Sequence, residues 1–185
     1  ADGLAAYDQQ LAHCRLRDAG AKLGLPPGGQ VRQMQQRWEQ LMADARLDMS
    51  LAYRCLARVR GDNALAMAPS LLLAPAATDA AALQAQLPAL AAWLADYRAL
   101  VIAAALPAVE RAAAMNAVNP WFVPRNWLLH AAAEAAEGGD LAPLQRLLLA
   151  AAQPYRENPA VADLVAVCPP QLRQTPGCSL LSCSS

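Results

Sequence analysis

The stretch QVRQMQQRWEQLMADA, residues 30–45, places Val31, Met34, Trp38, Leu41 and Met42 at successive steps of 3, 4, 3 and 1. At 3.6 residues per turn, that spacing lays them along one face of a helix. Arg32, Gln35, Gln36, Glu39 and Gln40 fill the wet side. The rest of the composition agrees. Forty-five alanines and thirty leucines make up about two-fifths of the chain, against twelve β-branched residues: nine Val, one Ile and two Thr. Ala and Leu lead the helix-propensity ranking, whereas β-branched residues favour strands. The expected fold is all-α, an irregular multi-helix domain of about six to eight helices with a C-terminal helical hairpin and an extended Cys-containing tail.

Upstream, Leu4, Tyr7, Leu11 and Cys14 form the apolar stripe of a first helix that ends at Gly24-Leu25-Pro26-Pro27-Gly28-Gly29. Downstream, Asp48 suits the N-cap of a short helix to about Val59, with Leu51, Cys55, Leu56 and Val59 inward. Residues 60–78 read as a connector, with Leu71-Leu72-Leu73 packing down. Asp79 caps the next helix, Pro88 interrupts it and opens another, and Leu90, Trp93, Leu94, Tyr97, Leu100 and Val101 keep the helical period. Pro107 starts a helix reaching about Met115. Pro124 opens one carrying Trp127, Leu128, Ala131 and Ala135. Gly138-Gly139 closes it, and Asp140 caps a partner carrying Leu141, Leu144, Leu147 and Leu148. Four prolines between Pro159 and Pro176 prevent a long helix beyond. The expected division is a helical region over 1–166 and a Pro-rich, flexible tail over 167–185.

The chain has 185 residues and a mass of 19.6 kDa, enough to bury about 70% of its unfolded surface. Fifteen basic and fifteen acidic residues balance, which disfavours a protein that grips nucleic acid through phosphates. Fourteen of the basic residues are Arg, a bias with no chemistry attached. The longest apolar run, Ala99 to Val109, is short of the ~20 residues a spanning helix needs, so no membrane partner is expected. The start carries Asp2 and Asp8 and no apolar leader. The expected compartment is the cytoplasm.

Five cysteines stand at 14, 55, 168, 178 and 183. Cys14 and Cys55 lie on apolar helix faces and read as buried core thiols. Cys178 and Cys183 occupy a polar tail, where a thiol suits disulfide exchange as well as a plain solvated end. Cys-x4-Cys with no nearby His makes a poor zinc site, and no metal is expected. His13 and His130 are the only histidines and read as structural or exposed. No nucleotide-binding glycine loop or metalloprotease motif occurs.

Several stretches together resemble the selenoprotein O family: MNAVNPWFVPRNWLLH (115–130), AAEGGDLAPLQRLL (135–148), Pro154-Tyr155 and the terminal Cys183-Ser-Ser. The segments AKLGL (21–25) and LMAD (41–44) are similar to helices that follow the family's catalytic core. The family pattern, Met-Asn-x-x-Asn-Pro-x-x-Val-x-Arg-Asn, is met here by Asn119, Pro120, Arg125 and Asn126, to which no catalytic role is assigned. Their bland reading is structural: the prolines fix the loop while Arg125 and Asn126 bond nearby backbone. Trp121-Phe122 and Pro124 depart from the residues usual in the family. The resemblance implies the C-terminal helical region of a larger kinase-like protein adenylyltransferase, a pseudokinase that moves AMP from ATP to protein hydroxyls. It implies ATP and Mg in the full-length protein and no cofactor in this chain. It also implies an upstream kinase-like core of the same polypeptide as partner, and protein substrates. Catalytic residues would lie outside this chain, which alone would be inactive. It further implies a redox-active Cys183, whose partner in the family is a thiol of the activation-loop region outside this chain; Cys178 is a local candidate that the resemblance does not supply.

A competing expectation is a free-standing helical interaction module that uses Trp121-Phe122 as an exposed anchor. A third is an independent thiol enzyme at Cys178 or Cys183. Apolar surface left bare on the isolated chain would favour self-association, and the sequence leaves its oligomeric state open.

Overall fold

The computed structural model describes residues 2–61 and 67–173. Among these, eight α-helices and three short 3-10 turns form, and no strand. Contacts divide the chain into two compact units, Ala1–Asn119 and Pro120–Ser185. The all-α expectation holds, at the upper end of the expected helix number.

The first unit opens with α1 (Asp2–Leu23). Gly24 ends it at a positive φ of 63°, and the Leu25 amide turns back onto the Gly20 carbonyl at 2.9 Å. A Cβ at Gly24 would stand 2.7 Å from Met115 and 2.8 Å from Arg111, so the turn requires glycine twice over. The helix α2 (Gly29–Asp44) buries Val31, Met34, Trp38 and Met42 as its spacing predicts. It also buries Gln35, read as wet, whose Nε2 donates to the Tyr53 hydroxyl at 3.4 Å. In α3 (Met49–Leu56) the Asp48 carboxylate accepts from the Leu51 amide at 3.0 Å, the expected cap. The region expected as connector contains α4 (Pro69–Leu73) and a 3-10 turn, Ala74–Ala76. There Leu72 and Leu73 pack down, while Leu71 stays exposed.

One expectation is overturned at Pro88. The helix α5 runs unbroken over Ala80–Ala104, with Asp79 accepting from the Ala81 and Ala82 amides and Pro88 inside. Proline removes the hydrogen bond that the Gln84 carbonyl would receive. Gln84 and Pro88 are both exposed, so solvent can serve that carbonyl. Leu83 on one side and Leu90 and Trp93 on the other anchor both halves in the core. An uninterrupted α5 is also long and apolar enough to cross a membrane, which the sequence reading missed by breaking it. It carries Asp96 and Arg98, and its buried Trp93 and Tyr97 form the centre of this unit. Trp93 stacks on Trp38 at 4.6 Å and on Tyr97 at 5.1 Å between ring centres, and its Nε1 donates to the Met34 carbonyl at 3.0 Å. The helix α6 (Ala108–Val118) closes the unit with Arg111 and Met115 buried.

The first turns of α1 correct a second expectation. Leu4 and Tyr7 are exposed, Leu11 and Cys14 are half-buried, and the helix is buried only from Ala19 onward. The predicted stripe is real as a helix face, but within the unit it has little to pack against.

The second unit holds the expected hairpin, α7 (Asn126–Glu137) and α8 (Ala142–Ala152). Gly139 takes φ +88° in the turn, and the Asp140 carboxylate accepts from the Ala142 amide at 2.9 Å. Phe122, Leu128, Ala132, Leu147, Ala150 and Val161 make its core. Of the leucines read from the α8 pattern only Leu147 is buried, and Leu141, Leu144 and Leu148 face outward. Two 3-10 turns follow, Pro159–Leu164 and Pro170–Leu172, in keeping with the prolines.

Candidate functional site

The family-like motif straddles the boundary between the units, with Asn119 in one and Pro120 in the other. Asn119 follows the last turn of α6 and is 2% exposed. Its Nδ2 donates to the Lys22 carbonyl at 2.9 Å, filling an acceptor that the end of α1 leaves open. The Arg54 guanidinium donates to the carbonyls of Asn116 and Asn119 at 3.2 and 3.4 Å. Asn119 thus ties α1 to α6 through backbone, and its buried amide has no route to a substrate.

Beyond the boundary, the amides of Trp121 and Phe122 both donate to the Pro154 carbonyl, at 2.8 and 2.9 Å. This accounts for Pro154, another matched residue: its carbonyl is the acceptor that folds the motif onto the end of the hairpin. Phe122 is 1% exposed and Trp121 half-buried. The exposed aromatic anchor expected of an interaction module is therefore turned inward, because Phe122 is the largest apolar side chain the small core has to bury. Arg125 stands at the N-cap of α7 and donates to the Val123 carbonyl at 3.4 Å. Asn126 is the first residue of α7 and is exposed. Of the four motif residues, Asn119 belongs to the first unit and Pro120, Arg125 and Asn126 to the second.

A polar cluster the sequence did not signal lies inside the first unit. Arg111 is 2% exposed, with no carboxylate among its hydrogen-bond partners. Its guanidinium donates to the Tyr97 hydroxyl at 2.9 Å, to the carbonyls of Ala57 and Val59, and toward the Met115 sulfur. Tyr97 donates in turn to the Leu23 carbonyl at 2.7 Å. The cluster collects backbone carbonyls at the ends of α1 and α3, where orphan acceptors are expected. Burial pushes the Tyr97 hydroxyl up to about 12, although Arg111 pulls the other way. Burial likewise raises Tyr53 to about 12, partly offset by the Gln35 hydrogen bond. Neutral tyrosines and carbonyl acceptors describe a structural knot, not an acid or base. Arg111 sits in the run Glu-Arg-Ala-Ala-Ala-Met, where nothing in the spacing marks it as buried.

Cys55 is buried, as expected, and burial pushes its thiol up to about 11, which makes it a poor nucleophile. Cys14 is only half-buried, since the upper part of α1 lacks a cover. Cys168 is also half-buried. Cys178 and Cys183 lie outside the described residues. His13 is exposed, and His130 Nδ1 stands 3.5 Å from Glu134 Oε2, one turn along α7. No group of three or more His, Cys, Asp and Glu side chains able to hold a metal exists among the described residues.

No protein-family model matches the chain. Individual proteins do. The chain is 35% identical over 184 residues to the protein nucleotidyltransferase YdiU of Xanthomonas campestris pv. campestris, covering 99% of this chain and 35% of that protein. It is 36% identical over 191 residues to the protein of the same name from Tolumonas auensis, covering 100% of this chain and 35% of the relative. With the Azoarcus sp. (strain BH72) protein, identity is 39% over 144 residues, 78% of this chain and 27% of the relative. The chain thus spans about a third of the length of the curated relatives it matches. Likeness at this level along nearly every residue places the chain in the family of the YdiU protein nucleotidyltransferases, the selenoprotein O-like family.

Proposed function

We propose that this chain is the C-terminal helical region of a protein adenylyltransferase, carrying no catalytic residues and supporting a kinase-like core of the same polypeptide. The observation that carries the reading is the match to protein nucleotidyltransferases along 99% of this chain but only 35% of theirs. The motif residues support it: Asn119 and Arg125 spend their polar groups on backbone carbonyls, as a buttress would. In the reaction the family implies, a protein hydroxyl attacks the α-phosphorus of ATP, its proton is lost, and pyrophosphate leaves. ATP and Mg would be held by residues outside this chain, and the setting would be the bacterial cytoplasm. The tail would add redox control through a disulfide at Cys183, with Cys178 as a candidate local partner.

The test uses ATP labelled in its α-phosphate. The longer polypeptide from the source cell should label protein, and the 185-residue chain should label none. Label transferred by the chain alone would overturn the assignment, and so would an endogenous polypeptide of only 19.6 kDa. In the longer polypeptide, Cys183→Ser should abolish the response of labelling to a thiol oxidant. An unchanged response would remove the redox role.

A further inference from the structure

We infer that an outer ridge of α8 is the docking face for the part of the longer polypeptide that lies outside these 185 residues. The inference rests on the reading of this chain as one region of a larger protein. Only Gln145 and Arg146 are polar among the eleven residues of α8. Leu147 and Ala150 are spent on the core of the second unit. Leu141 at the N-cap, Leu144, Leu148 and Ala151 follow one another at steps of 3, 4 and 3, and all four are exposed. That spacing gathers them along a second face of the helix, a ridge of three leucines and an alanine. Arg146 does not interrupt the ridge and is paired with Asp163. The helix is thus apolar on the face its own unit covers and on a face it leaves open. A helix apolar on all sides belongs inside a protein, because each open leucine keeps apolar surface in water.

Size and spacing select the occupant. The chain covers 35% of the Xanthomonas campestris relative, so most of such a protein lies outside it and is there to supply a cover. A second copy would meet the ridge with four side chains of its own, far fewer than the ~20–30 residues a side of a stable interface between separate molecules. A surface on the same polypeptide needs less area, because the covalent link holds it at an effective concentration on the order of millimolar. The residues from 174 to 185 include two leucines, Leu180 and Leu181, which are adjacent. A ridge stepping by 3 and 4 fits side chains of like spacing in a facing groove, which an adjacent pair does not provide. The occupant is therefore an apolar groove or helix face on the remainder of the polypeptide.

Hydroxyl-radical footprinting tests it on the 185-residue chain and on the longer polypeptide from the source cell. Modification is read residue by residue and scaled to a leucine-containing peptide added to both samples. Leu144 and Leu148 should be modified at least threefold less in the longer polypeptide. A smaller difference would overturn the inference. So would shielding already present in the 185-residue chain at every dilution, which would put the cover within the chain. Shielding of the 185-residue chain that grows with its concentration would overturn it in favour of a second copy. Leu144→Gln combined with Leu148→Gln should leave the helicity and Tm of the 185-residue chain unchanged, because both side chains reach solvent there. The same pair should lower the Tm of the longer polypeptide by about 2 °C or more. A longer polypeptide whose Tm ignores the pair would overturn the docking. Transfer of labelled AMP plays no part in these readings. Shielded leucines without transfer would leave the docking standing and remove the adenylyltransferase reading, and transfer with unshielded leucines would do the reverse.

Discussion

The two units use the same Ala- and Leu-rich helices, yet they bury different things. The first stacks Trp38, Trp93 and Tyr97 at its centre and closes a polar knot around Arg111. The second gathers five buried residues, two of them alanines, around a single Phe122. Its α8 leaves Leu144, Leu148 and Leu149 outside, and Leu141 at its N-cap is exposed too. The difference teaches that Ala and Leu make the helices, while a few large side chains at the crossings make the core.

The comparison breaks first at the aromatic stack. Trp93→Ala should cost about 4 kcal/mol, from the lost ring contacts and the hydrogen bond to Met34. Chemical denaturation followed by tryptophan emission and hydrogen exchange should locate the loss in the first unit. A loss below about 1 kcal/mol would mean that the stack is not what holds that unit together.

Phe122→Ala should cost about 3 kcal/mol. Exchange protection should vanish from α7 and α8 while α2 and α5 keep theirs. Equal loss in both units would show that they unfold as one, and the contrast between them would fail.

Alkali should act on the first unit. A hydroxyl whose folded pKa is raised contributes stability that is whole below its unfolded value near 10 and is lost as pH rises toward the folded value. For Tyr97, pushed to about 12, the loss is about 1.4 kcal/mol per pH unit between about 10 and 12. Tyr97→Phe should remove its share of that slope and leave the share carried by Tyr53, which is also pushed up to about 12, as measured by urea midpoints across the window. A slope unchanged by the substitution would show that Tyr97 does not carry it.

The smallest effect belongs to the surface of the second unit. The Arg146 guanidinium holds the exposed Asp163 carboxyl below its ordinary value. Arg146→Ala should return that midpoint to the usual carboxylate range in a carbon-detected titration, with no measurable change in unfolding. A midpoint that does not move would show that the ion pair is not maintained in solution.

Much of this was legible in the residues, for local reasons. The Asp48 and Asp79 caps, the Gly24 stop and the Gly-Gly-Asp turn each depend on a few consecutive residues. The face of α2 was readable because its large apolar side chains fall on one side. The face of α8 was not, because leucines at 141, 144, 147, 148 and 149 spread over more than half of the circumference, and the buried Leu147 and Ala150 lie at one edge of that arc. Pro88 misled because its local rule is correct, but its exposed position let distant anchors override it. The motif residues were legible as a signature. Their structural duties emerged only with their partners: Lys22 lies 97 residues from Asn119, and Pro154 more than thirty from Phe122.

The sequence by itself determined an all-α chain, most of its helix ends and its family. Helical hydrogen bonds and caps close within a few residues, and a family signature is by nature a string. Tertiary structure alone decided which helix faces are covered, that α5 runs through Pro88, and that a cation at Arg111 can be buried. Those outcomes are set by atoms far apart along the chain: an aromatic from one helix, a carbonyl from another, and the solvent left over.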